Sequence, residues 1–99
     1  LSWAAEKGHT DVVRVLLAHK DVDANCKTNN GATPLLIAAE KGRTTIISLL
    51  LMREDVDINC KSSIGSTPLI LAAQNGNTSV VRLLLAQNVV DPNYKNTNG

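Results

Sequence analysis

A period of 34 residues constrains this chain more than any single motif in it. Gly8, Gly42 and Gly76 are spaced by 34 positions, and so are Gly31, Gly65 and Gly99. Displacing the sequence by 34 aligns 18 identities in the first 34 pairs and 13 in the remaining 31. The repeated phrase runs from Gly31 to Gly42 as Gly-Ala-Thr-Pro-Leu-Leu-Ile-Ala-Ala-Glu-Lys-Gly. It returns from Gly65 to Gly76 as Gly-Ser-Thr-Pro-Leu-Ile-Leu-Ala-Ala-Gln-Asn-Gly. A third copy, lacking its first four residues, opens the chain at Leu1–Gly8. Self-similarity at such a period specifies stacked supersecondary units, none of which buries its apolar face alone.

Each unit divides into three parts. Thr33-Pro34 before an apolar run is a helix start: the hydroxyl accepts from a free first-turn N–H, and proline at the first helical position loses no hydrogen bond. The helix runs through Leu35, Ile37, Ala38 and Ala39 to Glu40, and Gly42 ends it where a left-handed residue is needed. The alanine pair recurs at Ala4-Ala5 and Ala72-Ala73 and permits close approach of neighbouring helices. A second helix, with Thr44 placed as its cap, carries Ile46, Ile47, Leu49, Leu50 and Leu51; its equivalents are Val12–Leu17 and Val80–Leu85. Arg14, Ser48 and Arg82 occupy the polar slot of that run and face solvent. Helices this short are marginal alone, so packing on the next unit must hold them. The rest of each unit, Lys20–Asn30, Glu54–Ile64 and Asn88–Asn98, is rich in Asp, Asn and Gly, residues that brace turns, and reads as a projecting hairpin-like finger.

The phrase Gly-x-Thr-Pro-Leu, the Ala-Ala pair, the Val/Ile-rich second helix and the Asp-x-Asn finger together resemble the ankyrin repeat. The resemblance covers the whole chain and implies an all-α repeat solenoid of helix-turn-helix repeats with projecting fingers. It divides the chain into residues 1–30 (a repeat without its Gly-x-Thr-Pro start), 31–64 and 65–98, with Gly99 beginning the next. Two departures stand out. Ser2, Leu36 and Ile70 replace the histidine that ties neighbouring repeats together in the family, so apolar packing is expected there instead. Each repeat also has 34 residues rather than the family's usual length of about 33. The extra residue falls in Lys20-Asp21-Val22, Glu54-Asp55-Val56 and Asn88-Val89-Val90, where the usual glycine is missing. Val80, Val81 and Leu83–Leu85 carry no polar substitution, so neither end reads as a cap, and the chain is expected to be a segment of a longer array.

Composition fits such a fold. Hydrophobic residues make up 43% of the chain, yet it has one Trp, one Tyr and no Phe, which suits a thin aliphatic core. The net charge of +1 creates no field for nucleic acid, and no apolar run reaches the roughly 18 residues of a membrane span. Cys26 and Cys60 hold the same place in adjacent repeats, about 8–10 Å apart by helix-packing distance, which exceeds the reach of a disulfide. They read as small, partly buried apolar residues, and reduced thiols point to an intracellular, cytoplasmic protein.

Chemistry is hard to find. Asp21-x-Asp23-x-Asn25 opens like a calcium loop, but Cys26 and Ala32 stand where glycine and glutamate are required. His9 and His19 are ten residues apart and form no zinc cluster, and His9 sits where the ankyrin family commonly has a structural histidine. No activated nucleophile or phosphate loop is present, so the chain reads as a non-enzyme without cofactor or metal. Asn77-Thr78-Ser79 is a formal glycosylation sequon that reads as a chance match.

The resemblance implies a protein-binding surface made of finger tips and the exposed ends of the first helices. By motif match this surface takes Glu6, Lys7, Glu40, Lys41, Gln74 and Asn75 from the helices. From the fingers it takes Lys27, Asn29, Asn30 and Ala32, then Lys61, Ser63, Ile64 and Ser66, then Lys95, Thr97 and Asn98. Ile64 at a tip is a candidate anchor. Lys27, Lys61 and Lys95 share one register and form a basic row suited to an acidic patch on a partner. Only Tyr94 lies beside that row for stacking, too little for nucleic acid. The leading reading is a protein–protein interaction module; the alternatives are a structural spacer and a sensor arm on an enzyme domain encoded elsewhere. Bare apolar ends add an expectation of end-to-end self-association.

Overall fold

The computed structural model describes residues 1–87. Lys95, Thr97, Asn98, Tyr94 and the third finger lie outside them. All regular structure among the described residues is helical: α1 (Ser2–Lys7), α2 (Thr10–Leu17), α3 (Pro34–Lys41), α4 (Thr44–Leu51), α5 (Pro68–Gln74) and α6 (Thr78–Leu85). The helices alternate between two layers. α1 packs on α3 and α3 on α5, forming one layer; α2 packs on α4 and α4 on α6, forming the other. Each first helix also packs on the second helix of its own repeat.

Local chemistry starts and stops the first helices as the sequence dictates. Thr33 Oγ1 accepts from the Leu36 N–H at 3.2 Å, and Thr67 Oγ1 accepts from the Ile70 N–H at 3.2 Å. Pro34 and Pro68 follow at the first helical position. Gly42 closes α3 in the left-handed region at φ 71°, where a side chain would be strained and its Cβ would come 3.3 Å from the Asn77 amide.

The second helices begin differently from the expectation. Thr44 is the first helical residue of α4, and the cap position belongs to Arg43, which makes no side-chain cap bond. His9 and Asn77 stand in the same place before α2 and α6. The turn is closed by backbone alone, with Thr44 N–H donating to Gly42 O at 3.0 Å. The side chains at this position are used elsewhere, as described below.

The core is a thin sheet of aliphatic residues between the layers. Val13, Ile47, Leu50 and Leu84 are fully buried, as are Ala38, Ala39 and Ala72 on the first helices. Removing a side chain the size of Leu or Ile from water is worth about 1.5–3 kcal/mol. Position in the stack decides burial: Ile46 and Val80 are 1% exposed, whereas Val12, their equivalent in the first repeat, is 45% exposed. Leu36 replaces the family's bridging histidine and is itself buried, which makes that contact apolar. Arg14, Ser48 and Arg82 are exposed.

Both described fingers are tight turns closed by a few local hydrogen bonds, not strands. Thr28 N–H donates to Ala32 O at 2.9 Å, and Ser62 N–H donates to Ser66 O at 2.8 Å. Gly31 and Gly65 take φ of 78° and 84° at the turn. Asp23 and Asp57 brace the finger bases, each accepting from the N–H two residues on (Asn25 and Asn59) at 2.9 and 3.0 Å.

The one-residue insertion has its own fastener. Arg53 Nε and Nη2 donate to the two carboxylate oxygens of Asp55 at 3.0 and 2.7 Å. The same guanidinium reaches back to the carbonyls of His19 and Lys20, both at 3.4 Å, tying the bend of one repeat to that of the previous one. A charge-assisted fork can hold in place a bend that lacks its glycine.

The Arg53 guanidinium holds the Asp55 carboxyl below its ordinary value of 3.8. A carboxyl lowered in the folded state contributes stability above its unfolded value and loses it as pH falls through the folded one. Asp55→Asn should therefore be less stable than the parent at pH 7, with the gap closing as pH falls below about 3.8. Urea unfolding midpoints across that range test this, and a gap that persists at the acid end would contradict it.

Candidate functional site

Two kinds of element converge on one side of the stack. The fingers project past the first helices, and between them lies an open groove of about 640 Å³. From the first-helix layer it is lined by Glu6, Leu36, Ile37, Glu40, Lys41 and Leu71. From the fingers it is lined by Thr28, Asn29, Asn30 and Ala32, and by Ser62, Ser63 and Ile64.

The expected contact residues among those described divide into three groups. Glu6, Asn29, Asn30, Ala32, Glu40, Lys41, Ser63 and Ile64 share the groove wall. Lys7, Lys27, Lys61, Gln74 and Asn75 are exposed but stand off that wall. Ser66 departs from the expectation: it is 1% exposed, because its carbonyl closes the finger turn, and it offers no contact surface. Lys95 falls outside the described residues.

The floor was not legible in the motif. Ile37 and Leu71 occupy the same register, half-buried, with exposed faces turned to the groove, and Leu36 seals the space beneath them. Ile64 rises beside them at the second finger tip and is 58% exposed. Leaving so large an aliphatic side chain in water is unfavourable. Trp3, in the register of Ile37 and Leu71, is 63% exposed and stacks on His9 with ring centroids 5.0 Å apart.

The groove is held rigid by hydrogen bonds between repeats. Arg43 Nη2 donates to Glu6 O at 2.8 Å, at the carbonyl end of α1. One repeat later, Asn75 Nδ2 donates to Glu40 O at 3.1 Å and Asn77 Nδ2 to Ala39 O at 3.5 Å, at the carbonyl end of α3. Free carbonyls at a helix C-terminus are acceptors without intrahelical partners, and these donors satisfy them from the next repeat. His9, Arg43 and Asn77 look unrelated in sequence; the property they share, a side-chain donor, is the signal that could have been read. Asn25 does similar work in the fingers. Its Nδ2 donates to Asp55 O at 2.6 Å, and its Oδ1 accepts from the Asp57 N–H at 2.8 Å.

These bonds also bear on the alternative chemistries. Asp23, Asn25 and Asp57, which resemble calcium ligands in sequence, direct their polar atoms at backbone groups. Among the described residues no group of three or more His, Cys, Asp or Glu is placed to hold a metal. Asn77, the sequon asparagine, is half-buried and directs its Nδ2 at the Ala39 carbonyl. Cys26 and Cys60 are both free thiols. Cys60 is buried, its Sγ lies 3.1 Å from Thr33 Oγ1, and burial pushes its thiol up toward the neutral form. No helix among the described residues is long and apolar enough to cross a membrane.

Comparison with known proteins agrees with this geometry. Residues 1–96 match a family profile described as ankyrin repeats, in three copies. No curated protein matches the chain.

Proposed function

The chain belongs to the ankyrin repeat family, whose members are generally protein–protein interaction modules, and on that footing we propose that it binds a protein partner through the groove between its fingers and first helices. The observation that carries the reading is the convergence of variable positions on that groove. Between repeats the scaffold residues are kept, while Asn29-Asn30 becomes Ser63-Ile64, and all four of these line the groove. A specific binding surface needs such variety, and here it borders an apolar floor. The module acts by binding alone, as a non-enzyme without cofactor, metal, nucleic acid or membrane. Lys27 and Lys61 flank the groove and suit an acidic patch at the partner's edge, where charges set association rate more than affinity. Free Cys26 and Cys60 support an intracellular, cytoplasmic setting.

Two other readings differ in outcome. A spacer would bind nothing in the groove, and a sensor arm would act on an enzyme domain encoded beyond these residues. Affinity capture from lysate separates them, using the parent chain, Ile64→Ala with Glu40→Ala, and Arg14→Ala on the opposite exposed face. A partner retained by the parent and by Arg14→Ala, and lost by the double variant, supports the groove. Capture unaffected by the double variant contradicts the assignment, and an empty capture favours the spacer.

The open ends of the stack support a second property of the same module. Val12 at one end and Ala73 at the other are exposed where their counterparts Ile46 and Ala39 are buried by a neighbouring repeat. Such faces fit head to tail, so the isolated chain should associate end to end. Sedimentation should show a mass that rises with concentration, and Val12→Glu should suppress the rise. A strictly monomeric parent chain would contradict this.

A further inference from the structure

The groove is unlike at its two ends, and the difference specifies a ligand. At the α1 end stands Glu6, and the first finger adds Asn29 and Asn30 to the same lining. At the α5 end stand Leu71 and Ile64, both aliphatic and both open to solvent on the groove side. Glu40 and Lys41 lie between, so the lining carries two carboxylates and one ammonium. Neither Glu6 nor Glu40 takes part in an ion pair among the described residues, where the pairs are Arg14–Asp11 and Arg53–Asp55. Arg43, from the next repeat, directs its Nη2 at the Glu6 carbonyl.

Resting on the groove reading above, we infer that the partner presents an extended segment with a cationic side chain at the Glu6 end and a large apolar side chain at the Ile64–Leu71 end. The spacing of the two follows from the stack. Adjacent helices pack about 8–10 Å apart, so α1 and α5 are separated by about 16–20 Å. An extended chain advances about 3.3 Å per residue, which places the two anchors about five or six residues apart. An arginine suits the acidic end best, since its planar fork pairs with a carboxylate in two parallel hydrogen bonds. The Asn29 and Asn30 side-chain amides in the same lining can take backbone carbonyls and N–H groups of the segment. At the other end Ile64 and Leu71 close over the apolar side chain, and both sides leave water. The charge sense is opposite to that of the flanking lysines, so the core of the ligand and its edge are recognised by different signs.

Short capped peptides on a glycine–serine background test this directly, by amide chemical-shift mapping on the isotope-labelled chain. The lead peptide carries one arginine and one leucine separated by four residues. Companions place glutamate for the arginine, serine for the leucine, or the two anchors side by side. The lead peptide should shift the amides of Asn30, Ile64 and Leu71, and each companion should bind several-fold more weakly. Glu6→Lys should weaken the lead peptide about tenfold and strengthen the glutamate peptide, as expected for a swapped charge pair. A glutamate peptide that shifts the same amides of the parent chain as strongly would overturn the ligand chemistry while leaving the groove intact. Equal binding of the adjacent-anchor peptide would overturn the spacing. If no peptide shifts groove amides the inference fails, and the lysate capture still decides separately whether the groove is used.

Discussion

Everything in this structure depends on one helix pair lying closely against the next. Among the described residues no helix exceeds eight residues, and a helix that short does not persist in water unaided. The alanine pairs make the close approach possible, and burial of Ile46, Ile47 and Leu50 in the middle repeat supplies the favourable term. The contrast between Ile46 at 1% exposure and Val12 at 45% isolates the effect. The position in the repeat is the same and both side chains are aliphatic; the difference is whether a repeat stands before it.

Packing alone leaves the repeats free to slide, because an aliphatic surface is non-directional. Direction comes from side-chain donors that cross the boundary. Arg43 reaches the end of α1, Asn75 and Asn77 reach the end of α3, and Asn25 joins one finger base to the next. Arg53 adds a further tie on the insertion bend. The groove inherits its shape from these bonds, since its walls belong to different repeats. A binding surface made of small, separately variable elements on a rigid frame follows from that division of labour.

Much of the frame was legible from the period. Thr33, Pro34, Gly42 and the alanine pairs perform in the structure what their chemistry implies, because each acts within a few residues of itself. What escaped the sequence acts between repeats. Thr44 was placed as a cap because threonine caps helices, but the tight turn after Gly42 closes on backbone, and Arg43 turns its side chain to the preceding repeat instead. Ser66 read as a finger-tip contact by register, yet closure of the finger turn buries it. Ile37 stands in the apolar run of the first helix, and the structure places part of it on the groove floor, a distinction that periodicity cannot draw on a helix of two turns. The unequal ends of the groove were also hidden, since Glu6 and Leu71 lie 65 positions apart in sequence.

The central claim is that stability passes between neighbouring repeats rather than residing in one common core, and native-state amide hydrogen exchange tests it most directly. The account predicts the strongest protection in α3 and α4, which are covered on both sides, with Ile47 and Leu50 among the slowest amides. Protection should fall toward α1 and α2 on one side and α5 and α6 on the other. Uniform protection through all six helices, lost in a single cooperative step, would contradict it.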